Sequence, residues 1–260
     1  MRALHHGKRR AQNGLTLIEL LVALAIGIFL LGGLGIMVQN NKRTFSSQNQ
    51  LAQLQDSERL AMTMMSDVIQ SAGYFPNPTL NTATSSMVAA GSMGSGQALI
   101  GTTGTTPPGD TLTVRYATTT GDGILNCSGL PNTTGSVAPT LYTSVFSVVN
   151  GQLICNMNGV VYPLVGIAGT TVANAVSVTN LSILYGVNST GTDNNVDSYM
   201  TAAQVTAAAV WNSVISMQVS LTFTNPLYSA TAQQGQGTTQ PQTITFTRDI
   251  GVMNKSGIQP

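Results

Sequence analysis

From residue 14 to residue 38 the chain is almost continuously apolar. After Gly14 the only polar side chains before Gln39 are Thr16 and Glu19. Residues 20–38 are 19 uncharged positions, about 28 Å of helix at ~1.5 Å per residue. That matches a hydrocarbon core of roughly 30 Å. Past Val38 the pattern turns amphipathic. Leu51, Leu54, Ala61, Met65, Val68 and Ala72 recur at three- and four-residue steps, and Asp56, Glu58, Arg59 and Asp67 mostly take other faces. Met62, Met64 and Met65 are suited to filling a core. Gly73 offers a C-cap and Pro76 a stop. The pattern predicts one long helix from residue 15 to about 72.

The period then shortens to two. Leu112, Val114 and Tyr116 alternate with Thr111, Thr113 and Arg115. Residues 142–149 and 152–155 flank Asn150-Gly151, a strong hairpin signal, and Asn158-Gly159 precedes Val160-Val161-Tyr162, so a three-stranded meander is predicted. Leu181, Ile183 and Tyr185 give another strand. Ile215, Met217, Val219, Leu221 and Phe223 alternate strictly with Ser216, Gln218, Ser220 and Thr222, and Ile244 and Phe246 open a strand to pair with them. Trp211 opens the first of these two strands and anchors the core. Residues 202–210 read as a short helix capped by Asp197 or Ser198. Residues 77–109, rich in Thr, Ser, Gly, Met and Ala, form a polar connector with at most short strands and a turn at Thr106-Pro107-Pro108-Gly109. The fold class is α+β: a long helix, apolar then amphipathic, on a C-terminal antiparallel β-rich head.

Charge sets the topology. The chain carries +1 overall. Residues 1–14 hold Arg2, Lys8, Arg9 and Arg10 and no acid, which leaves +1 − 4 = −3 for the remainder. Lys42 and Arg43 on the far side of the apolar run are fewer, so the basic flank predicts a cytoplasmic N-terminus with the head outside. Only 7% of residues are charged, which excludes the basic face that a nucleic-acid partner needs. Both cysteines, Cys127 and Cys155, fall in the outer part, where an oxidising compartment favours a bridge between them.

Catalytic chemistry finds little material. His5 and His6, among the basic residues of the first fourteen, are the only histidines. If the chain is cut after Gly14, neither Ser-His-Asp nor Cys-His systems, nor the usual zinc sets, can be assembled from what remains. No Walker loop or G-x-G-x-x-G is present. The loop aspartates Asp110, Asp122, Asp193, Asp197 and Asp249 read as solvated or turn-forming. Asp193, Asn195 and Asp197 place oxygens at alternate positions, as the first half of a calcium loop does, but Ser198 stands where the glycine belongs and Gln204 where the glutamate belongs. They are a weak calcium candidate. No enzyme activity, cofactor or resident metal is expected.

A carboxylate inside an apolar segment is costly, by about 2.5–3.5 kcal/mol at the helix centre on insertion scales. Glu19 either snorkels to the membrane surface or awaits a cation. One cation is at hand if the chain is cut after Gly14, because Leu15 then carries a new α-amino group. Here a resemblance becomes specific. Lys8-Arg9-Arg10, then Gly14, then Leu15-Thr16-Leu17-Ile18-Glu19-Leu20-Leu21-Val22-Ala23-Leu24, resembles the class III signal of type IV prepilins and type II secretion pseudopilins. The resemblance implies cleavage by a membrane prepilin peptidase between Gly14 and Leu15, N-methylation of Leu15, and a register role for Glu19, the fifth residue of the mature chain. The family usually has Phe at the first mature position, from which Leu15 departs. Residues 40–62 and 67–75 also resemble the PilW class of minor pilins.

What the resemblance implies is a type IV pilin-like fold with a cleaved leader (1–14), a transmembrane and assembly helix (15–38), its amphipathic continuation (39–73), a polar connector (74–109) and a β-rich head (110–260). Gly27, Gly32, Gly33 and Gly35 within the apolar half are either a packing surface or a weak point, and in pilins part of this helix can lose its helical form in the filament. The implied function is that of a minor pilin priming pilus assembly from the bacterial inner membrane. The implied partners are other minor and major pilins, the prepilin peptidase, the assembly platform and the lipid bilayer. A type II secretion pseudopilin and a membrane-anchored adhesin are the alternatives.

Overall fold

The computed structural model describes residues 16–136, 138–166, 176–191, 193, 195–228 and 240–253. Helix α1 (Leu17–Gln70) runs unbroken through Gly27, Gly32, Gly33 and Gly35. Two compact units divide the chain, one up to Asn49 and one from Gln50 on. In the second unit the predicted face of α1 is the buried one: Leu54, Ala61, Met62, Met65, Val68, Ile69 and Ala72 all enter the core, while Asp56, Arg59 and Asp67 stay outside. The helix stops at Gln70, slightly short of the predicted end. A turn follows through Gly73 at φ 78°, a left-handed conformation that glycine adopts without strain. The Gly73 N–H donates to the Arg115 carbonyl at 2.9 Å, which ties the helix end to a strand.

Two antiparallel sheets complete the head. The first has the order β1 (Leu99–Thr102), β2 (Thr111–Thr118), β3 (Thr140–Val149), β4 (Gln152–Met157) and β5 (Val160–Val165). The predicted meander is β3–β4–β5. Its hairpins turn at Asn150-Gly151 and Asn158-Gly159, and all four residues have positive φ, as a two-residue type I′ turn requires. The second sheet has the order β7 (Ser198–Met200), β6 (Val178–Val187), β8 (Val214–Thr224) and β9 (Thr243–Gly251). The strictly alternating segment forms β8, with Ile215, Met217, Val219, Leu221 and Phe223 buried, and β9 pairs with it as predicted.

Three local expectations need correction. The connector holds a single-turn helix α2 (Ala83–Ser86), and the next short helix, α3, is Ala202–Ala208, with Thr201 as its N-cap rather than Asp197 or Ser198. Thr201 and Gln204 form a capping box, so the residue that stood in for a calcium glutamate is the N3 partner of a cap, and Ser198 is spent in β7. Trp211 does not open β8; it begins a 3₁₀ turn, Trp211–Ser213, before it. It does anchor the core, packing edge-on to Tyr185 at 4.9 Å and donating its indole N–H to Thr206 at 3.1 Å.

Asp110 also departs from the solvated reading. It is buried and stitches the sheets together. One carboxylate oxygen accepts from the Ile183 N–H of β6 at 2.7 Å and the other from the Gly104 N–H at 2.9 Å. Its own N–H donates to the Leu181 carbonyl at 2.8 Å. Arg115, unpredicted as a core residue, is buried on β2 and donates to the Val88 carbonyl, pinning the connector; burial pushes its pKa down.

Candidate assembly interface

The chemistry that the sequence singles out sits in the first unit. In α1, fifteen large apolar side chains between Leu17 and Val38 are exposed, Phe29 by 82% and Leu17 by 78%. A helix this long and apolar meets the length and composition needed to cross a membrane, with a mean hydropathy of 2.6 over 18 residues. Such a surface is not left to water. At about 1.5–3 kcal/mol per buried side chain, the cost of wetting it runs to tens of kcal/mol, so lipid or other apolar helices must cover it. A Cβ placed on Gly32, Gly33 or Gly35 would meet nothing within 4 Å. No contact within the unit therefore demands these glycines.

Glu19 has a local role that its spacing could have revealed. Its carboxylate accepts from the Thr16 N–H and from the Thr16 hydroxyl, each at 3.0 Å, while the Glu19 N–H donates back to the Thr16 hydroxyl at 3.4 Å. This is a reciprocal capping box, T-x-x-E, at the start of α1. It satisfies two of the backbone donors that a helix N-terminus leaves open, and it holds the carboxylate at the helix end, where the macrodipole favours a negative charge. Both bonds from Thr16 converge on one oxygen, Oε2. Gly14 and Leu15 lie outside the described residues, as do the residues before them.

The other singled-out residues do not join this site. Cys127 and Cys155 are fully buried and form a disulfide that ties the loop after β2 to β4. Asp193, Asn195 and Asp197 share one loop but do not converge as ligands. Asp197 accepts through Oδ2 from the Ser189 N–H at 2.7 Å, the Ser189 hydroxyl at 2.8 Å and the Thr190 N–H at 3.2 Å, which together hold its carboxyl below the ordinary range. Asp193 instead accepts from the Asn195 side chain at 2.9 Å. Among the described residues no group of three His, Cys, Asp or Glu is placed to hold a metal ion. An open groove of roughly 490 Å³ borders the C-terminal end of α1, lined in part by Asp67, Gln70, Tyr74, Ile124 and Leu125. The Tyr74 hydroxyl there is pushed up in pKa by burial and by Asp122.

Comparison with known proteins falls on both ends of the chain. Residues 9–35 match the prokaryotic N-terminal methylation motif, and residues 132–255 match the family described as Type IV Pilus-assembly protein W. The second match lies on the β-rich head, whereas the resemblance read from sequence rested on residues 40–75. No curated protein sequence matches the chain. Among solved structures the chain is similar to a type IV-like pilin from Thermus thermophilus, at 12% identity and a TM-score of 0.42, covering 77% of this chain and 97% of that one. The methylation motif at the apolar helix and the PilW match on the head agree, and together they support a PilW-like type IV pilin.

Proposed function

We propose that this pilin is a minor pilin that helps to initiate pilus assembly. It inserts in the inner membrane as a prepilin, with the N-terminus cytoplasmic and the head periplasmic. The prepilin peptidase removes residues 1–14 by cutting between Gly14 and Leu15, and Leu15 is methylated on its new amine. Residues 15–38 then leave lipid for a bundle of equivalent helices from other pilins. The observation that carries this reading is the exposed apolar half of α1 with a single carboxylate at its start. In a water-poor bundle that carboxylate draws a cation, because charge pairs strengthen as the dielectric falls, and an unpaired carboxylate is penalised. The amine at Leu15 of a neighbouring subunit supplies the cation and fixes axial register. The Thr16 bonds occupy Oε2 and hold the side chain in place for that contact.

The test is the intact and N-terminal peptide mass of the membrane-extracted protein, with and without active peptidase. A mature start at Leu15 that requires the peptidase supports the reading. An uncut N-terminus beside active peptidase leaves a plain signal-anchored protein and removes it. Deletion of the gene then separates the roles: loss of surface pili supports assembly, loss of exoprotein release points to a secretion pseudopilus, and intact filaments with impaired attachment point to an adhesin.

A further inference from the structure

Among the described residues the head has four sheet edges, and three of them are blunted by strand length, proline or bulge. β1 has four residues and β7 three. β5 contains Pro163, and its pairing with β4 shifts register between Leu153 and Ile154. Short strands, proline and bulges are the usual devices that keep an edge from pairing. Among the described residues β9 has none of these three, and its only charges are one of each sign, Arg248 and Asp249. It is nine residues long, contains no proline, keeps an unshifted register with β8 and lies at the end of its sheet.

The direction of its backbone groups follows from the two ends of the ladder. The Asn225 N–H donates to the Gln242 carbonyl at 2.8 Å, and the Val252 N–H donates to the Ile215 carbonyl at 2.8 Å. Positions 242 and 252 therefore face β8, and so do 244, 246, 248 and 250 between them. Thr243, Thr245, Thr247, Asp249 and Gly251 turn their N–H and C=O groups away from the sheet, toward the open edge. Their side chains are exposed on the outer face, where Ser220 pairs with Thr247 at 2.8 Å and Thr222 with Thr245 at 2.9 Å. On the inner face Ile244 and Phe246 are only partly covered, and Arg248 is exposed.

We infer that the open edge of β9 pairs with β9 of a second copy of this chain, antiparallel and centred on Thr247. The strand is self-complementary in that register. Thr243 stands opposite Gly251 of the second copy, Ile244 opposite Ile250, Thr245 opposite Asp249, and Phe246 opposite Arg248. All five outward-facing positions meet outward-facing positions, each pair exchanging two hydrogen bonds. A guanidinium meets an aromatic ring, which attracts it, a hydroxyl meets a carboxylate, and no charge faces its like. The neighbouring register centred on Asp249 sets that carboxylate against itself. The one centred on Thr245 overlaps only residues 243–247. Charge and overlap thus select one register, and the two sheets join into one of eight strands.

The experiment uses the full chain extracted in detergent. Both native cysteines are held in the disulfide, so an introduced cysteine is the sole free thiol. Thr247→Cys places two thiols on the symmetry axis with Cα atoms about 5.5 Å apart, within disulfide reach. Thr243→Cys separates them by eight residues, about 27 Å at ~3.4 Å per residue. Mild oxidation is expected to convert Thr247→Cys to a covalent dimer and to leave Thr243→Cys monomeric. Light scattering is expected to show the protein mass falling by half in Thr245→Pro, which removes an outward N–H and leaves the β8 ladder intact. The inference is overturned if Thr247→Cys stays monomeric, if Thr243→Cys cross-links equally, or if Thr247→Cys joins a different protein.

Discussion

α1 is one helix made stable for two unrelated reasons. Between Leu17 and Val38 it turns apolar side chains outward on all sides, and fifteen of them are exposed. From Leu54 to Ile69 it buries a single face, Leu54, Ala61, Met62, Met65, Val68 and Ile69, in the core of the head. A helix apolar all round belongs in a membrane or among other apolar helices, whereas one with a narrow stripe belongs on a folded surface. The first segment lacks its partner within its own unit, so its sequence is shaped by what lies outside the chain. The second meets its partner in the head, so its sequence is shaped by packing. Glycine shows the difference. Four glycines sit in the apolar half, all of them in open space, although each costs about 1 kcal/mol against Ala in a helix interior; the packed half has none.

Substitutions in the two segments should therefore fail in different assays. The largest effect expected is that of Glu19→Ala, which keeps leader cleavage but abolishes incorporation into filaments; normal incorporation, read by immunoblot of sheared pili, would sink the register role of the carboxylate. Next comes a matched pair. Met62→Ala opens a cavity in the head and should cost about 2–5 kcal/mol in denaturant unfolding, while Phe29→Ala should leave the same transition within about 0.5 kcal/mol. Equal effects from the two would erase the distinction between the segments. Cys127→Ser removes a cross-link between residues 28 apart, worth about 3–4 kcal/mol in the chain-entropy model, and a thiol titration that finds two free thiols in the native protein would remove the bridge itself. The smallest effect lies in the loop at Asp197. Its carboxyl is held low by Ser189 and Thr190, so the clamp is complete above the ordinary carboxylate range and is lost as pH falls through the lowered value. Amide exchange at Ser189 and Thr190, corrected for its intrinsic rate, should stay constant from neutrality to about pH 4 and rise only below it.

Periodic patterns were legible wherever one side of an element faces a single environment. The buried stripe of α1, the alternation of β8 and the two Asn-Gly hairpins each obey a local rule that needs no knowledge of the rest of the chain. The candidate site was legible for a related reason: a lone carboxylate in an apolar run has few physical explanations. Its capping box is a second such local rule, since T-x-x-E at Thr16 and Glu19 brings the carboxylate onto donors three residues away, whatever cation it meets further off. The N-cap of α3 was misplaced by competition among nearby hydroxyl and carboxylate groups, any of which caps a helix equally well in isolation. Only the pairing of Ser198 into β7 moved the start to Thr201.

What the sequence determined by itself is the long helix, the longer strands, the membrane-like character of the first segment and the pairing of the two cysteines, since each rests on local periodicity, composition or the count of candidates; the three-residue β7 and the strand inside the connector were not among them. What the tertiary structure decided is every relation across long stretches of chain. It buried Asp110 to join two sheets through the backbone of β6, drove the charged Arg115 inward beneath the connector, and left β9, among the described residues, as the one long edge without a proline or a register shift. Whether a polar side chain is solvated, buried or bridging depends on which distant backbone groups remain unpaired once the sheets have formed, and that accounting closes only in three dimensions.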